Sequence, residues 1–121
     1  NKLTYVQLKN REGQFVAPSD ESFKAAAAGA NWSQSFYQIL TDQPGQTAWP
    51  ITSATFILMH KKQDKPVQAQ TSLKFFEWAY KSGDRTAAEL DYVPMPESVK
   101  DVIYQSWDGI QDQAGKSIAR Q

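Results

Sequence analysis

Apolar residues recur along the chain in two rhythms. Near the start the alternation is short: Thr4, Val6 and Leu8 fall on one side, Tyr5 and Gln7 on the other. This reads as a strand over Thr4–Leu8 that the preceding Asn1–Leu3 extends. Lys9–Gly13 reads as a turn and Gln14–Ala17 as a short extended return. Pro18-Ser19-Asp20-Glu21 opens a helix: Ser19 caps the free amides and the two acids face the positive end of the dipole. Alanines carry that helix to a stop at Gly29. Between Ala30 and Leu40, Trp32, Phe36, Ile39 and Leu40 have helical spacing, which Ser33 and Ser35 weaken. Asp42–Gly45 is a turn.

The stretch from Ile51 to His60 is the densest in β-branched and aromatic residues and reads as a buried strand. Pro50 suits only its start or an edge, because it has no amide to give a ladder. The 3.6-residue rhythm then takes over. Pro66–Tyr80 places Ala69, Leu73, Phe76 and Tyr80 on one face, with Ser82-Gly83 as the stop. Asp84–Leu90 reads as a short helix capped by Asp84. Tyr92–Pro96 is held out of the helical region by its two prolines. Pro96 suits the first position of a last helix, whose apolar stripe is Val99, Val102, Ile103, Ser106, Trp107 and Ile110. From Gln111 onward the tail is polar and is expected to fray.

Hydrophobic residues make up 40% of the 121 positions, which places the chain in the globular class. Thirteen basic and thirteen acidic side chains cancel, so no large field exists to hold nucleic acid. No apolar run has the length to cross a bilayer as a helix. Cysteine is absent, which removes disulfides and thiol chemistry. The chain opens with Asn1, directly on residues that read as a strand, and is expected to be part of a longer protein.

Candidate chemistry is sparse. His60 is the one histidine, and nothing near it in sequence would orient it as a base. Carboxylates are scattered, so no metal site is expected. Gly115-Lys116-Ser117 resembles the end of a phosphate-cradling loop, but Ile110 stands where the loop's first glycine belongs. Asn31-Trp32-Ser33 fits a glycosylation acceptor, a pattern common by chance. The aromatics, including Trp32, Trp49 and Trp78, are read as packing. The hydroxyls of Thr52, Ser53 and Thr55 are assigned to local backbone bonds. No nucleophile, base and orienter assemble, so the chain is not read as an enzyme.

Three blocks carry a resemblance: Ala48–Lys61 (AWPITSATFILMHK), Leu73–Tyr80 (LKFFEWAY) and Glu89–Pro96 (ELDYVPMP). Val16–Ser19 and Asn31–Ser33 agree more weakly. In this order and spacing the blocks resemble the periplasmic phosphate-binding proteins of the high-affinity phosphate ABC transporter, the PstS type, over Leu3 to about Trp107. The resemblance implies an α/β fold, the C-terminal part of a two-lobed class II binding protein with mixed sheets flanked by helices. Residues 1–47 would end the second lobe. Residues 48–121 would hold the return crossing strand and complete the first, with the hinge at Trp49, Pro50, Ile51 and Thr52.

The resemblance further implies capture of inorganic phosphate in the periplasm and delivery to the membrane permease subunits, without a cofactor, a metal or nucleic acid. The family's anion ligands include an arginine followed by a Ser-Gly-Thr run. Here Arg11, Arg85 and Arg120 lack that run, so no phosphate ligand is expected in this chain. The missing N-terminal portion of the same protein would supply them. Two alternatives remain: a class II protein for another oxyanion, sulfate or molybdate, and a free-standing α/β interaction domain. Sharp cooperative unfolding of the chain alone would favour the latter.

Overall fold

The computed structural model describes residues 4–119. The strand expectation over Asn1–Leu3 and the arginine at position 120 lie outside them. The chain forms two compact units. The first holds the chain up to Thr55 together with Met95–Val99, and the second holds Phe56–Pro94 and the chain from Lys100 onward. The elements in order are β1 (Leu8–Lys9), β2 (Phe15–Val16), α1 (Asp20–Ala28), β3 (Lys62–Gln63), α2 (Pro66–Ser82), α3 (Asp84–Glu89), α4 (Glu97–Trp107) and β4 (Gln111–Asp112). β1 pairs antiparallel with β2, and β3 pairs parallel with β4. Helices with two small sheets make this an α/β chain.

In the first unit, the strand expected over Thr4–Leu8 shrinks to Leu8–Lys9, opposite Phe15–Val16. The hairpin closes because Asn10 N–H donates to the Gln14 carbonyl (2.8 Å) and Gly13 takes φ +81°, where a side chain would strain. α1 has the expected Ser19 cap, sharpened into a reciprocal box. Ser22 N–H donates to Ser19 Oγ, and Ser19 N–H donates to Ser22 Oγ. The Glu21 carboxyl is held below its usual range, first by its own backbone amide and then by the Ser19 hydroxyl. Gly29 ends the helix with a right-handed φ of −73°. Its reason is space: a Cβ there would lie 2.7 Å from the Pro44 carbonyl oxygen. The residues after Gly29 do not form the helix that Trp32 and Phe36 suggested. Ser33 Oγ bonds Asn31 Oδ1 (2.7 Å) and Tyr37 N–H bonds Ser35 Oγ (2.9 Å), so the hydroxyls satisfy local turns instead. Trp32 is buried all the same, its indole N–H on the Ala27 carbonyl at 2.6 Å.

In the second unit, Ala69 and Leu73 of α2 meet Ile110 and Ile118, with Met59, Trp107 and Ala119 packed against them. Beside this core, the Tyr80, Tyr104 and Trp107 rings lie 5.2–6.4 Å apart, two of the three pairs edge to face. Two expectations fail here. Asp84 does not cap α3, whose N-cap is Gly83 with no side-chain bond; its carboxylate turns to Lys100. Nor does the described part of the tail, residues 111–119, fray. Gln111 N–H donates to the Lys61 carbonyl, Asp112 Oδ1 accepts from the amides of Ala114 and Lys116, and Ile118 is only 2% exposed. An aspartate that can bond its own chain, a glycine at φ +83° (Gly115) and a single isoleucine make a closed turn of a stretch that composition alone reads as loose.

The largest departure lies at Ile51–His60. No strand runs there. Ile51 makes a lone antiparallel bridge to Thr41, and residues 52–60 belong to no helix or strand. The stretch is not buried either: Phe56, Ile57 and Leu58 are exposed, Leu58 to 92%. A strand exists only by pairing, and no other segment among the described residues offers its edge.

Candidate functional site

The residues expected to form the hinge sit on a dense set of backbone bonds within the first unit. Trp49 is buried, with its N–H on the Ser22 carbonyl at 3.0 Å and its ring edge-on to Phe23 at 6.3 Å. The Pro50 carbonyl accepts from Asp42 N–H (3.0 Å), Ile51 pairs with Thr41, and Thr52 Oγ1 donates to the Trp49 carbonyl (3.1 Å). Trp49 and Pro50 are thus anchored to α1 and to the turn at Asp42, while Ile51 is exposed. Two residues that the sequence places in turns, with no role beyond them, complete the set. Asn10, 6% exposed, aims its side-chain amide at the carbonyls of Gly45, Gln46 and Ala48, at 3.1, 2.8 and 3.3 Å. Its Oδ1 accepts from Gln14 N–H at 3.0 Å. Asp42 adopts φ 54°, the left-handed region that short polar side chains tolerate. The signal for both was present as turn chemistry, Asn before Gly13 and Asp before Pro44-Gly45.

The second unit holds a buried cation. Lys100 is 2% exposed, and its ammonium donates to the Tyr80 carbonyl at 2.9 Å and to both Asp84 carboxylate oxygens at 3.0 and 2.9 Å. A buried ammonium is tolerated when every proton has an acceptor, and these contacts meet that need. The Tyr80 hydroxyl is pushed above its usual pKa, chiefly by burial and then by Tyr104, with Lys100 opposing. Between α2 and α4 lies an open groove of about 420 Å³, with Leu73, Lys74, Glu77, Tyr104 and Trp107 in its walls. Its charges are already engaged in part, since Lys81 pairs with Glu77.

Neither constellation presents a reacting group. His60 is exposed, and its imidazole has no partner among the described residues. Among the same residues no cluster of three His, Cys, Asp or Glu is placed to hold a metal. Arg11 is exposed, and Arg85 lies 3.5 Å from Glu89 one turn along α3. Gly115-Lys116-Ser117 follows the turn at Gln113–Ala114 and leads into Ile118, and Ser117 forms a lone bridge with Gln111. No helix of the described residues is long and apolar enough to cross a membrane.

No family model matches the chain. Individual relatives do. Over 109 residues, 88% of the chain, it is 49% identical to the phosphate-binding protein PstS of Pasteurella multocida and covers 32% of that protein. The corresponding protein of Haemophilus influenzae is 46% identical, with 33% of it covered. That of Xylella fastidiosa is 43% identical, with 30% covered. The chain therefore spans about a third of the length of the curated relatives it matches. Identity at this level over nearly the whole chain bears out the resemblance carried by the three sequence blocks. Over 88% of its length, the chain is thus similar to about a third of the PstS phosphate-binding proteins of these bacteria.

Proposed function

We propose that the chain is the C-terminal part of a two-lobed solute-binding protein that captures inorganic phosphate in the periplasm and delivers it to the permease subunits of an ABC transporter. In this reading it is a binding component, not a catalyst. The observation that carries the reading is the 43–49% identity to PstS proteins across 88% of the chain. The phosphate ligands come from the rest of the polypeptide: hydroxyls, an arginine and the free amides of helix N-termini, whose dipoles suit an anion. Residues 1–47 close one lobe, and 48–121 cross back and complete the other.

The hinge lies at Trp49–Thr52. What supports it is local: the anchored residues Trp49 and Pro50 and the single bridge at Ile51 are followed, from Ser53, by a stretch without backbone bonds, so a change in backbone angle at the end of this segment breaks few bonds. Substituting Pro50→Gly or Thr52→Ala in the complete protein is expected to change the ligand-linked compaction seen by small-angle scattering. Phosphate affinity should move less than threefold, or about 0.6 kcal/mol. Equal compaction in variant and parent would remove the hinge from this position.

The test of the function is a graft. The 109 matching residues of the Pasteurella multocida protein are replaced by those of this chain, and phosphate binding is followed by calorimetry. The graft is expected to bind phosphate and to ignore sulfate, while the chain alone binds neither. A folded graft that takes sulfate or molybdate in preference to phosphate would overturn the reading.

A further inference from the structure

Residues 41–51 form a closed loop. Its neck is tied by the bridge between Thr41 and Ile51 and by Asp42 N–H on the Pro50 carbonyl at 3.0 Å. Compact loops of this size are usually filled by their own side chains. Here Asn10, from the β1–β2 hairpin, supplies the polar contacts from outside the loop. The carbonyls of Gln46 and Ala48 accept no backbone bond among the described residues. Asn10 Nδ2 reaches both, at 2.8 and 3.3 Å, and the Gly45 carbonyl at 3.1 Å. Two amide hydrogens thus serve three acceptors. Gln14 N–H donates to Oδ1 at 3.0 Å, which fixes the end of the amide that faces the loop.

Where these contacts fall matters more than how many they are. The peptide that joins Ala48 to Trp49 is held at both of its polar atoms. Its carbonyl accepts from Asn10, and its N–H donates to the Ser22 carbonyl at 3.0 Å. Ala48 is fully buried, so this peptide has no solvent to turn into. Fixed from the hairpin on one side and from α1 on the other, it gives Trp49–Thr52 a single direction of departure. Without the Asn10 donors, the carbonyls of Gln46 and Ala48 lose their partners inside the loop. That state is costly enough for the loop to rearrange rather than keep it.

We infer that Asn10 is a positioning residue for lobe closure, acting through the Ala48–Trp49 peptide and not on the anion. The inference rests on the proposed reading of Trp49–Thr52 as the hinge of a phosphate-binding protein. Closure about a fixed point of departure is a movement between two defined states. About a loose one it must also order the loop, so a smaller fraction of molecules is competent to close. Phosphate affinity falls by the same fraction.

The test compares Asn10→Asp with the unsubstituted sequence in the complete protein. Aspartate has nearly the same shape and keeps the acceptor for Gln14, but it offers the three carbonyls no donor when ionised. Phosphate binding is measured by calorimetry and stability by urea unfolding without phosphate. Closure is followed as the distance between spin labels, one on each lobe. Asn10→Asp is expected to bind phosphate about tenfold more weakly, or worse, as a competent fraction cut to a tenth requires. The label distances before phosphate is added should broaden. Asn10→Ala removes the donors without adding a charge; it should show the same changes and decides the matter if Asn10→Asp does not fold. An Asn10 that serves stability alone would lower the urea midpoint and leave affinity and label distances at the parent values, which would overturn the inference. A parent protein that ignores phosphate retires the function and the inference together. A parent that binds and closes, beside variants that match it, retires the inference alone.

Discussion

Two stretches of the second unit invert what their compositions suggest. Phe56–Met59 is wholly apolar, yet three of its four residues are exposed and its backbone is unpaired. Gln111–Ala119 is mostly polar, yet it pairs with β3, closes a turn on Asp112 and buries Ile118. The difference is in where each segment's partners are. The tail's needs are short-range: a carboxylate two and four residues before the amides it accepts, and an eight-residue return that brings Ile118 N–H to the Ile110 carbonyl at 3.0 Å. The apolar run can be satisfied only by pairing with a segment distant in sequence, and none among the described residues does so. Hydrophobicity states what a segment requires; the rest of the chain decides whether it is met.

This contrast can be broken by mutation. The largest effect is expected from Ile118→Ala, which empties part of the small core it shares with Ala69, Leu73 and Ile110, at about 3 kcal/mol in urea unfolding of the chain. An unchanged midpoint would return the tail to the frayed state its composition suggests. Asp84→Ala should follow at about 2 kcal/mol, because it takes the half-exposed carboxylate from a buried ammonium and leaves that charge under-compensated. Lys100→Met should cost clearly less, since it removes the charge along with its partner. Equal losses would mean that the pair acts through packing alone.

Asp112→Ala removes the acceptor for two exposed amides and is expected to cost about 1 kcal/mol, with faster exchange at Ala114 and Lys116 as the specific sign. Leu58→Ser closes the series. In the chain alone it should lie within about 0.5 kcal/mol of zero, as exposed substitutions do. In the grafted full-length protein the same change should cost about 2 kcal/mol or more. That pair of numbers sharpens the comparison most, because one side chain is read in both settings.

How much was legible in the sequence follows from the range of the interactions. The Ser19 cap, the start of α2 at Pro66 and its Ala69–Leu73 face are set within a few residues, and they stand where the pattern put them. α4 begins at Glu97, one residue after Pro96. Asp84 was misread because a cap and a cross-element pair compete for one carboxylate, and Lys100, sixteen residues on, offers the stronger charge-assisted bond. Asn10 was read only as part of a turn for the same reason, since its three carbonyl partners lie 35 to 38 residues away. Trp49–Thr52 could be proposed as a hinge from the family resemblance, but the anchors of these residues at Ser22, Thr41 and Asp42 are visible only in three dimensions.

The seating of Lys100 has a consequence for labelling chemistry. An amine reagent needs a deprotonated, accessible nitrogen, and this one is enclosed with its protons engaged on Tyr80 and Asp84. The lysines of α2 stand in solvent and would acylate at once, whereas Lys100 reacts only when α4 parts from the end of α2. Its rate of modification is therefore a clock, built into the molecule, for how often that end of the second unit comes open.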